Sequence, residues 1–246
     1  MLTKRASRLL LAAALTVTAG TAVAVTGMTG ATASTSPLPS LNAPGLHMRT
    51  AADPAPTAAG SCGYQASIPA DRFKGVPVFN AAQAAQPFIV RFYTTQGVIT
   101  VRMLTSKAPC TTFSFRFLAS RGYFNQTHCH RLTVQGIFVL QCGDPTGTGS
   151  GGPGYKFANE NLTGAKYTAG TVAMANAGPG TNGSQFFLVY RNSLTLPASY
   201  TPFGQIVSGL GIIQNVAKAG TDNSNGNGDG HPKEKVTIKS VTITKA

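Results

Sequence analysis

The chain has 246 residues and a formal net charge of +13, and 42% of its residues are hydrophobic. This length allows one globular domain with a sizeable core and additional segments. The basic residues are dispersed and do not alternate with exposed aromatic residues, so the pattern argues against a dedicated binder of single-stranded nucleic acid. The charge predicts weak attraction to polyanions such as cell-surface polymers.

Residues 1–33 have the pattern of a secretory signal peptide: a short basic stretch, an apolar run and small residues ending at Ala33. We predict cleavage after Ala33 and export, to a secreted or cell-envelope location. The alternative is an uncleaved membrane anchor, because the apolar run from Leu9 is almost free of charge. Without residues 1–33 the chain carries +10, that is +13 less the charges of Lys4, Arg5 and Arg8.

Composition divides the rest of the chain into three parts. Residues 34–61 are rich in Ala, Pro, Thr and Ser and predict a flexible stalk. Residues 62–86 form a pre-domain segment that begins with a cysteine, and residues 87–246 form the predicted domain. The four cysteines of an exported chain suggest two disulfides, and spacing alone leaves three pairings open. They are Cys62, Cys110, Cys129 and Cys142.

The predicted elements begin with a hairpin of residues 88–94 and 98–104, joined across Thr95 to Gly97. A helix follows over residues 110–120, with Pro109 near its start. Short apolar stretches separated by glycine-rich turns then predict antiparallel sheet. These stretches are residues 129–134, 137–141, 170–175 and 185–189. A second helix over 210–218 precedes a Gly/Asn-rich loop (220–230) and a closing strand over 236–244.

Several common kinds of chemistry lack their residues. The domain's acidic residues form no obvious pair for glycoside hydrolysis, and Ser184 lacks a nucleophile elbow. Residues 128–130 with Cys142 fit disulfide use better than zinc binding, because neighbouring residues of a strand point to opposite faces. The acidic spacing of loop 220–230 does not fit a calcium loop. No metal or cofactor is therefore expected.

An arginine beside an apolar pocket can still favour rotation about a peptide bond. At Xaa-Pro both isomers are populated, but a barrier of roughly 18–20 kcal/mol separates them. The prolyl nitrogen becomes a hydrogen-bond acceptor when the amide twists, so a positioned arginine donor would stabilise the twisted state.

Three stretches carry a resemblance to a known family. They are A-N-A-G-P-G-T-N-G-S-Q-F-F at 175–187, C-H-R-L at 129–132, and residues 138–144. From about Phe88 to Thr244 the chain resembles cyclophilin, the peptidyl-prolyl isomerase family, in a secreted bacterial form. The resemblance implies a mainly β fold, a closed eight-stranded antiparallel barrel capped by two α-helices.

The resemblance also implies the site residues. Arg131 matches the catalytic arginine and Gln141 the glutamine that orients it. The proline pocket is matched by Phe138, Val139, Phe187 and Leu196, with Tyr200 beside it, and the groove for residues before proline by Ala175, Asn176 and Gln185. Asn176 is expected to act through its backbone. The implied partners are Pro-containing peptides and unfolded exported proteins, bound by a monomer. A binding module without turnover is the alternative, against which the intact Arg131 and Gln141 argue.

The sequence departs from the family pattern at a few positions. Val139, Tyr200 and Thr195 replace residues that are commonly Met, His and Trp, so the affinity for cyclosporin-like ligands is not fixed by the sequence. Ten positions separate Arg131 from Gln141, two more than is common, which predicts a longer turn over 133–136. In the hairpin so formed Cys129 would face Cys142, leaving Cys62 to pair with Cys110.

Overall fold

The structure is a computed structural model, and it describes residues 61–246. The predicted signal peptide, the alternative membrane anchor and all of the stalk except Ser61 lie outside the described residues. Within residues 61–246, no helix is long and apolar enough to span a membrane.

A single large sheet of ten strands forms the body of the fold, and all of its strand pairs are antiparallel. Eight strands have three or more residues: β2 (Phe88–Thr94), β3 (Gly97–Met103), β5 (Arg131–Thr133), β6 (Val139–Cys142), β8 (Thr171–Met174), β9 (Phe186–Val189), β10 (Pro202–Ser208) and β12 (Thr237–Lys245). Two have two residues: β4 (Thr127–His128) and β11 (Asp229–Gly230). The order is β11-β5-β6-β9-β8-β10-β3-β2-β12-β4.

The sheet confirms the mainly β, antiparallel prediction. Its eight longer strands are compatible with the eight-stranded barrel that the resemblance implies, and the two short strands lie at the two ends of the order. Closure between those ends stays a prediction.

The first hairpin shows why the strands form where they do. In β2 the buried residues Phe88, Val90 and Phe92 alternate with more exposed ones, the period that places one face of a strand on a core. The strand pairs with β3 from Ile89↔Arg102 to Thr94↔Gly97, which confirms the predicted hairpin. Gly97 has φ 131°, so glycine suits this tight connection.

Two helices pack against the main core, the larger of two clusters of buried apolar side chains in the described residues, as predicted. Helix α2 (Pro109–Ser120) supplies Phe115, whose ring is 4.8 Å from that of Phe124 and 5.9 Å from that of Phe92. Helix α3 (Leu210–Ala219) buries Ile213 and Val216. The core on this face of the sheet is thus rich in aromatic side chains.

The pre-domain segment is structured, which the sequence analysis did not predict. It contains strand β1 (Gln65–Ala70) and a four-residue helix α1 (Ala81–Ala84), a third helix beside the two expected. Strand β1 pairs with β7 (Pro153–Lys156) in a separate two-stranded sheet.

Both implied disulfides are present. Cys62 is bonded to Cys110, with Cα atoms 5.4 Å apart, and Cys129 to Cys142, with Cα atoms 4.0 Å apart. The first joins the pre-domain segment to helix α2. The second joins the residues that flank the β5–β6 hairpin.

Candidate active site

The β5–β6 hairpin brings Arg131 and Gln141 together. Its register pairs Arg131 directly with Gln141 and Leu132 with Leu140. The chain then reverses between Thr133 and Val139, where the Val139 N–H donates to Thr133 Oγ1 at 3.2 Å. The two additional residues are therefore accommodated in a turn somewhat longer than predicted, and the register of the site is unaffected.

A row of paired residues, three of them predicted site residues, crosses four neighbouring strands. Gln141 pairs with Phe187 on β9, and Phe187 pairs with Ala173 on β8. Residues directly opposite each other on neighbouring strands share a face of the sheet, so Arg131, Gln141 and Phe187 point the same way. Leu132 and Leu140 point to the opposite face of the sheet, where they are buried in the main core.

Asp229 and Gln141 hold the guanidinium of Arg131. Its Nε donates to Asp229 Oδ1 at 2.8 Å and its Nη2 to Asp229 Oδ2 at 2.6 Å, while Nη1 donates to Gln141 Oε1 at 3.3 Å. The hydrogen bond to Asp229 raises the pKa of Arg131, with burial opposing, and the same bond lowers the pKa of Asp229. The guanidinium has five N–H donors, so these bonds leave one on each Nη for a ligand.

Asp229 is a site residue that the sequence analysis missed. In the sequence it lies in the Gly/Asn-rich loop 220–230, where neither its spacing nor its neighbours point to an arginine. In the structure, strand β11 pairs with β5 so that Asp229 lies opposite Thr133. Arg131 is the next residue along that face of β5, within reach of a long side chain.

Two glutamines continue this polar chain into the groove. Gln141 Nε2 donates to Gln185 Oε1 at 2.9 Å, and Gln185 Nε2 donates to the carbonyls of Gly149 and Gly151 at 2.9 and 3.0 Å. Because guanidinium groups and amide nitrogens only donate, each amide has one orientation that satisfies its neighbours. Asp144, which is buried, holds the loop that contains these two glycines. Its carboxylate accepts from the N–H groups of Gly149 and Gly151.

Three of the four predicted proline-pocket residues, together with Tyr200, belong to one apolar cluster. Val139 and Phe187 are buried in it, and Leu196 and Tyr200 pack against it. The rings of Phe187 and Tyr200 are 5.5 Å apart. Tyr167 fixes Tyr200 from behind, donating to its carbonyl at 2.7 Å and accepting from its N–H at 3.0 Å.

Phe138 is placed differently from the other predicted pocket residues. It is half-buried and packs against the margin of the main core, with its ring 6.0 Å from that of Tyr190. The guanidinium carbon of Arg191 lies 3.3 Å from the centre of the Phe138 ring, a cation–π contact. The backbone N–H of Phe138 donates to Ser193 Oγ at 2.8 Å.

The three predicted groove residues line one cavity. A groove of about 560 Å³ is bordered by Gln141, Ala175, Asn176 and Gln185. The side chain of Asn176 is engaged internally, donating to Asn159 Oδ1 and the Ser199 carbonyl. These bonds occupy the side chain, and the role of the Asn176 backbone in ligand binding stays a prediction.

The residues around the site offer binding and hydrogen bonding more than proton transfer. Burial lowers the pKa of His130, the neighbour of Arg131, to about 4, so its imidazole is neutral at physiological pH. Among residues 61–246 no group of three or more His, Cys, Asp or Glu side chains could hold a metal ion. The arrangement is a fixed cation beside an apolar pocket and an amide-lined groove.

Comparison with known sequences agrees with this arrangement. Residues 89–243 match the sequence model of the family described as cyclophilin type peptidyl-prolyl cis-trans isomerase/CLD. The "Probable peptidyl-prolyl cis-trans isomerase B" of Mycobacterium tuberculosis (strain ATCC 25618 / H37Rv) is 48% identical over 168 residues, which cover 63% of this chain and 54% of that protein. The chain thus spans about half the length of this mycobacterial relative.

A shorter relative and a solved structure match over nearly their whole length. The "Peptidyl-prolyl cis-trans isomerase-like 1" of Emericella nidulans is 40% identical over 161 residues, covering 64% of this chain and 95% of that protein. A crystal structure of a Cryptosporidium parvum cyclophilin type peptidyl-prolyl cis-trans isomerase matches with a TM-score of 0.58 and 31% identity, over 65% of this chain and 99% of that one. A second structure of that protein, in the presence of the dipeptide Ala-Pro, has a TM-score of 0.57. The chain belongs to the cyclophilin-type peptidyl-prolyl cis-trans isomerase family.

Proposed function

We propose that this protein catalyses cis-trans isomerisation of Xaa-Pro peptide bonds, with Arg131 as its catalytic residue. The observation that carries the proposal is the pair of contacts that fix the Arg131 guanidinium, with Asp229 on one side and Gln141 on the other. The same row of residues leads to Phe187 in the apolar cluster. A proline ring in that cluster would have its nitrogen on the side of the guanidinium.

The proposed mechanism needs neither a nucleophile nor a proton donor. Rotation out of plane breaks amide resonance and localises the lone pair of the prolyl nitrogen. A free N–H of Arg131 donates to that lone pair, a contact that exists in the twisted state and is absent in the planar ground state. Interactions made only in the transition state raise the rate. Asp229 and Gln141 restrict the guanidinium beforehand, so little reorganisation is needed.

Pro-containing segments of unfolded exported proteins are the substrates we propose. The chain belongs to a family in which one structure was determined in the presence of the dipeptide Ala-Pro, which supports proline peptides as ligands. The signal-like residues 1–33 and the two disulfides support a role outside the cytoplasm, where disulfides persist. Cyclosporin-like compounds are proposed as ligands of the same cluster.

The test is a peptide isomerisation assay on the full chain and on Arg131→Ala. Removing one transition-state donor costs about 100- to 1,000-fold in rate, so kcat/KM should fall by that factor. Arg102→Ala is the control, because Arg102 is an exposed arginine of strand β3 away from the site. Its kcat/KM should equal that of the unmodified chain.

Two results would contradict the proposal. Equal accelerated rates for the unmodified chain and Arg131→Ala would reject the arginine mechanism. The proposed isomerase activity would still stand. If the unmodified chain binds a proline peptide without accelerating its isomerisation, the protein is a binding module. Arg131→Ala should then bind the peptide with similar affinity.

A further inference from the structure

Strand β1 forms an additional wall of the substrate groove. Ser67, Ile68 and Pro69 border the same cavity of about 560 Å³ as Gln141 and Gln185. These three residues belong to the pre-domain segment, outside the match to the family, which begins at residue 89. The groove of this chain is therefore built partly by residues that precede the family domain.

Contacts on both sides hold this wall in place. Before it, Cys62 is bonded to Cys110, and Tyr64 donates to the Cys110 carbonyl at 2.6 Å. After it, the Asp71 N–H donates to the Gly152 carbonyl at 2.8 Å, while Asp71 Oδ2 accepts from the Gly152 N–H at 3.1 Å. A segment fixed at both ends keeps a defined position relative to the groove.

Between these contacts β1 bulges away from its partner strand. Ala66 pairs with Tyr155 and Ala70 with Pro153, so four steps along β1 correspond to two along β7. The additional residues cannot lie flat against β7. Ile68 lies in this bulge, and the residue is 90% exposed although its side chain is large and apolar.

We propose that Ile68 is a specificity-determining residue that contacts an apolar side chain of the substrate, N-terminal to the Xaa-Pro bond. The proposal rests on the proposed function. The groove is continuous with Gln141, which bonds to Arg131, so a peptide whose proline lies at the apolar cluster would run its preceding residues along this wall. An apolar substrate side chain would remove the exposed surface of Ile68 from water.

A cation on strand β7 also borders the groove, and it defines the competing outcome. Lys156 borders the same groove and is exposed. If Lys156 governed selectivity, peptides with an acidic residue before the Xaa-Pro bond would be preferred. Three proline peptides separate the two cases. They differ only in one residue before the Xaa-Pro bond, which is leucine, glutamine or glutamate.

The experiment measures kcat/KM for these peptides with the full chain, Ile68→Ala and Val78→Ala. Val78 is the matched control, because it lies in the same segment, is 89% exposed and does not border this groove. We expect the unmodified chain and Val78→Ala to prefer leucine. In Ile68→Ala we expect this preference to fall about three- to tenfold, through KM, with the glutamine peptide unaffected.

The outcomes are distinguishable from failure of the proposed function. If no peptide is isomerised by the unmodified chain, the proposed function itself fails. If the peptides are isomerised but Ile68→Ala keeps the full preference for leucine, the inference about Ile68 is overturned and the function stands. A preference of the unmodified chain for glutamate over leucine would also overturn it.

Discussion

Asp229 binds the guanidinium of Arg131 through two hydrogen bonds, of 2.8 and 2.6 Å, although 98 positions separate the residues in sequence. The ion pair is partly exposed, with 35% of the Arg131 side chain and 26% of the Asp229 side chain accessible. Its value for stability should therefore be small. In the proposed mechanism it orients the Arg131 donor toward the prolyl nitrogen.

We predict that Asp229→Asn lowers kcat about tenfold, with KM unaffected. The amide cannot reproduce both acceptors, so the guanidinium gains freedom, and misplacement of a catalytic group costs rate more than binding. Peptide isomerisation kinetics and a urea unfolding curve would be measured together. Glu234→Gln is the control, since Glu234 is an exposed acid. An unchanged kcat, or a loss matched by a comparable loss of stability, would contradict the positioning role.

His130 should make stability depend on pH. Burial lowers its pKa from 6.5 to about 4, and neither ring nitrogen has a hydrogen-bond partner in the described structure. The unfolded chain binds a proton below about pH 6.5 that the folded chain binds only below about pH 4. Stability should therefore fall as the pH drops through this window, by up to about 3 kcal/mol.

The measurement for His130 is the free energy of urea unfolding across that window, for the unmodified chain and His130→Gln. The glutamine variant has no titrating group at this position, so its unfolding free energy should change less with pH. Carboxylates elsewhere titrate in both proteins and cancel in the comparison. Parallel pH profiles would rule out the contribution of His130.

Glu160 caps the N-terminus of helix α2 from a distant loop. Ala108, the residue immediately before the helix, makes no side-chain hydrogen bond to cap it. The Glu160 carboxylate instead accepts from the N–H groups of Cys110 and Thr111 at 3.0 and 2.7 Å, and from Thr111 Oγ1 at 2.7 Å. Anions near a helix N-terminus stabilise it.

We predict that Glu160→Gln destabilises the protein by about 1.5–3 kcal/mol, the range for hydrogen bonds to a charged group. Urea unfolding at neutral pH would measure it. The exposed Glu234→Gln serves again as the control and should change the unfolding free energy by less than about 0.5 kcal/mol. Equal losses in the two variants would show that the cap contributes nothing specific.

Sequence motifs sufficed to assign several residues that the structure brings together. The resemblance of residues 129–132, 138–144 and 175–187 assigned Arg131, Gln141, Phe187 and Gln185. The structure places the first three on one face of the sheet and bonds Gln185, just before β9, to Gln141. The same motifs could not indicate that Phe138 packs toward Tyr190 and Arg191. These contacts join residues that are distant in sequence, so no local motif encodes them.

The sequence by itself determined the elements whose signal is local, such as the alternating strand β2 and the helix α3 with its apolar periodicity. The tertiary structure decided which distant residues meet. Strand β11 has two residues in a polar loop, too short for any hydrophobic period, yet its pairing with β5 sets Asp229 beside Arg131. Strand β1 is mostly exposed, and its pairing with β7 and the Cys62–Cys110 disulfide just before it bring Ile68 to the groove. Such contacts follow from backbone pairing across long separations, which no local pattern of side chains encodes.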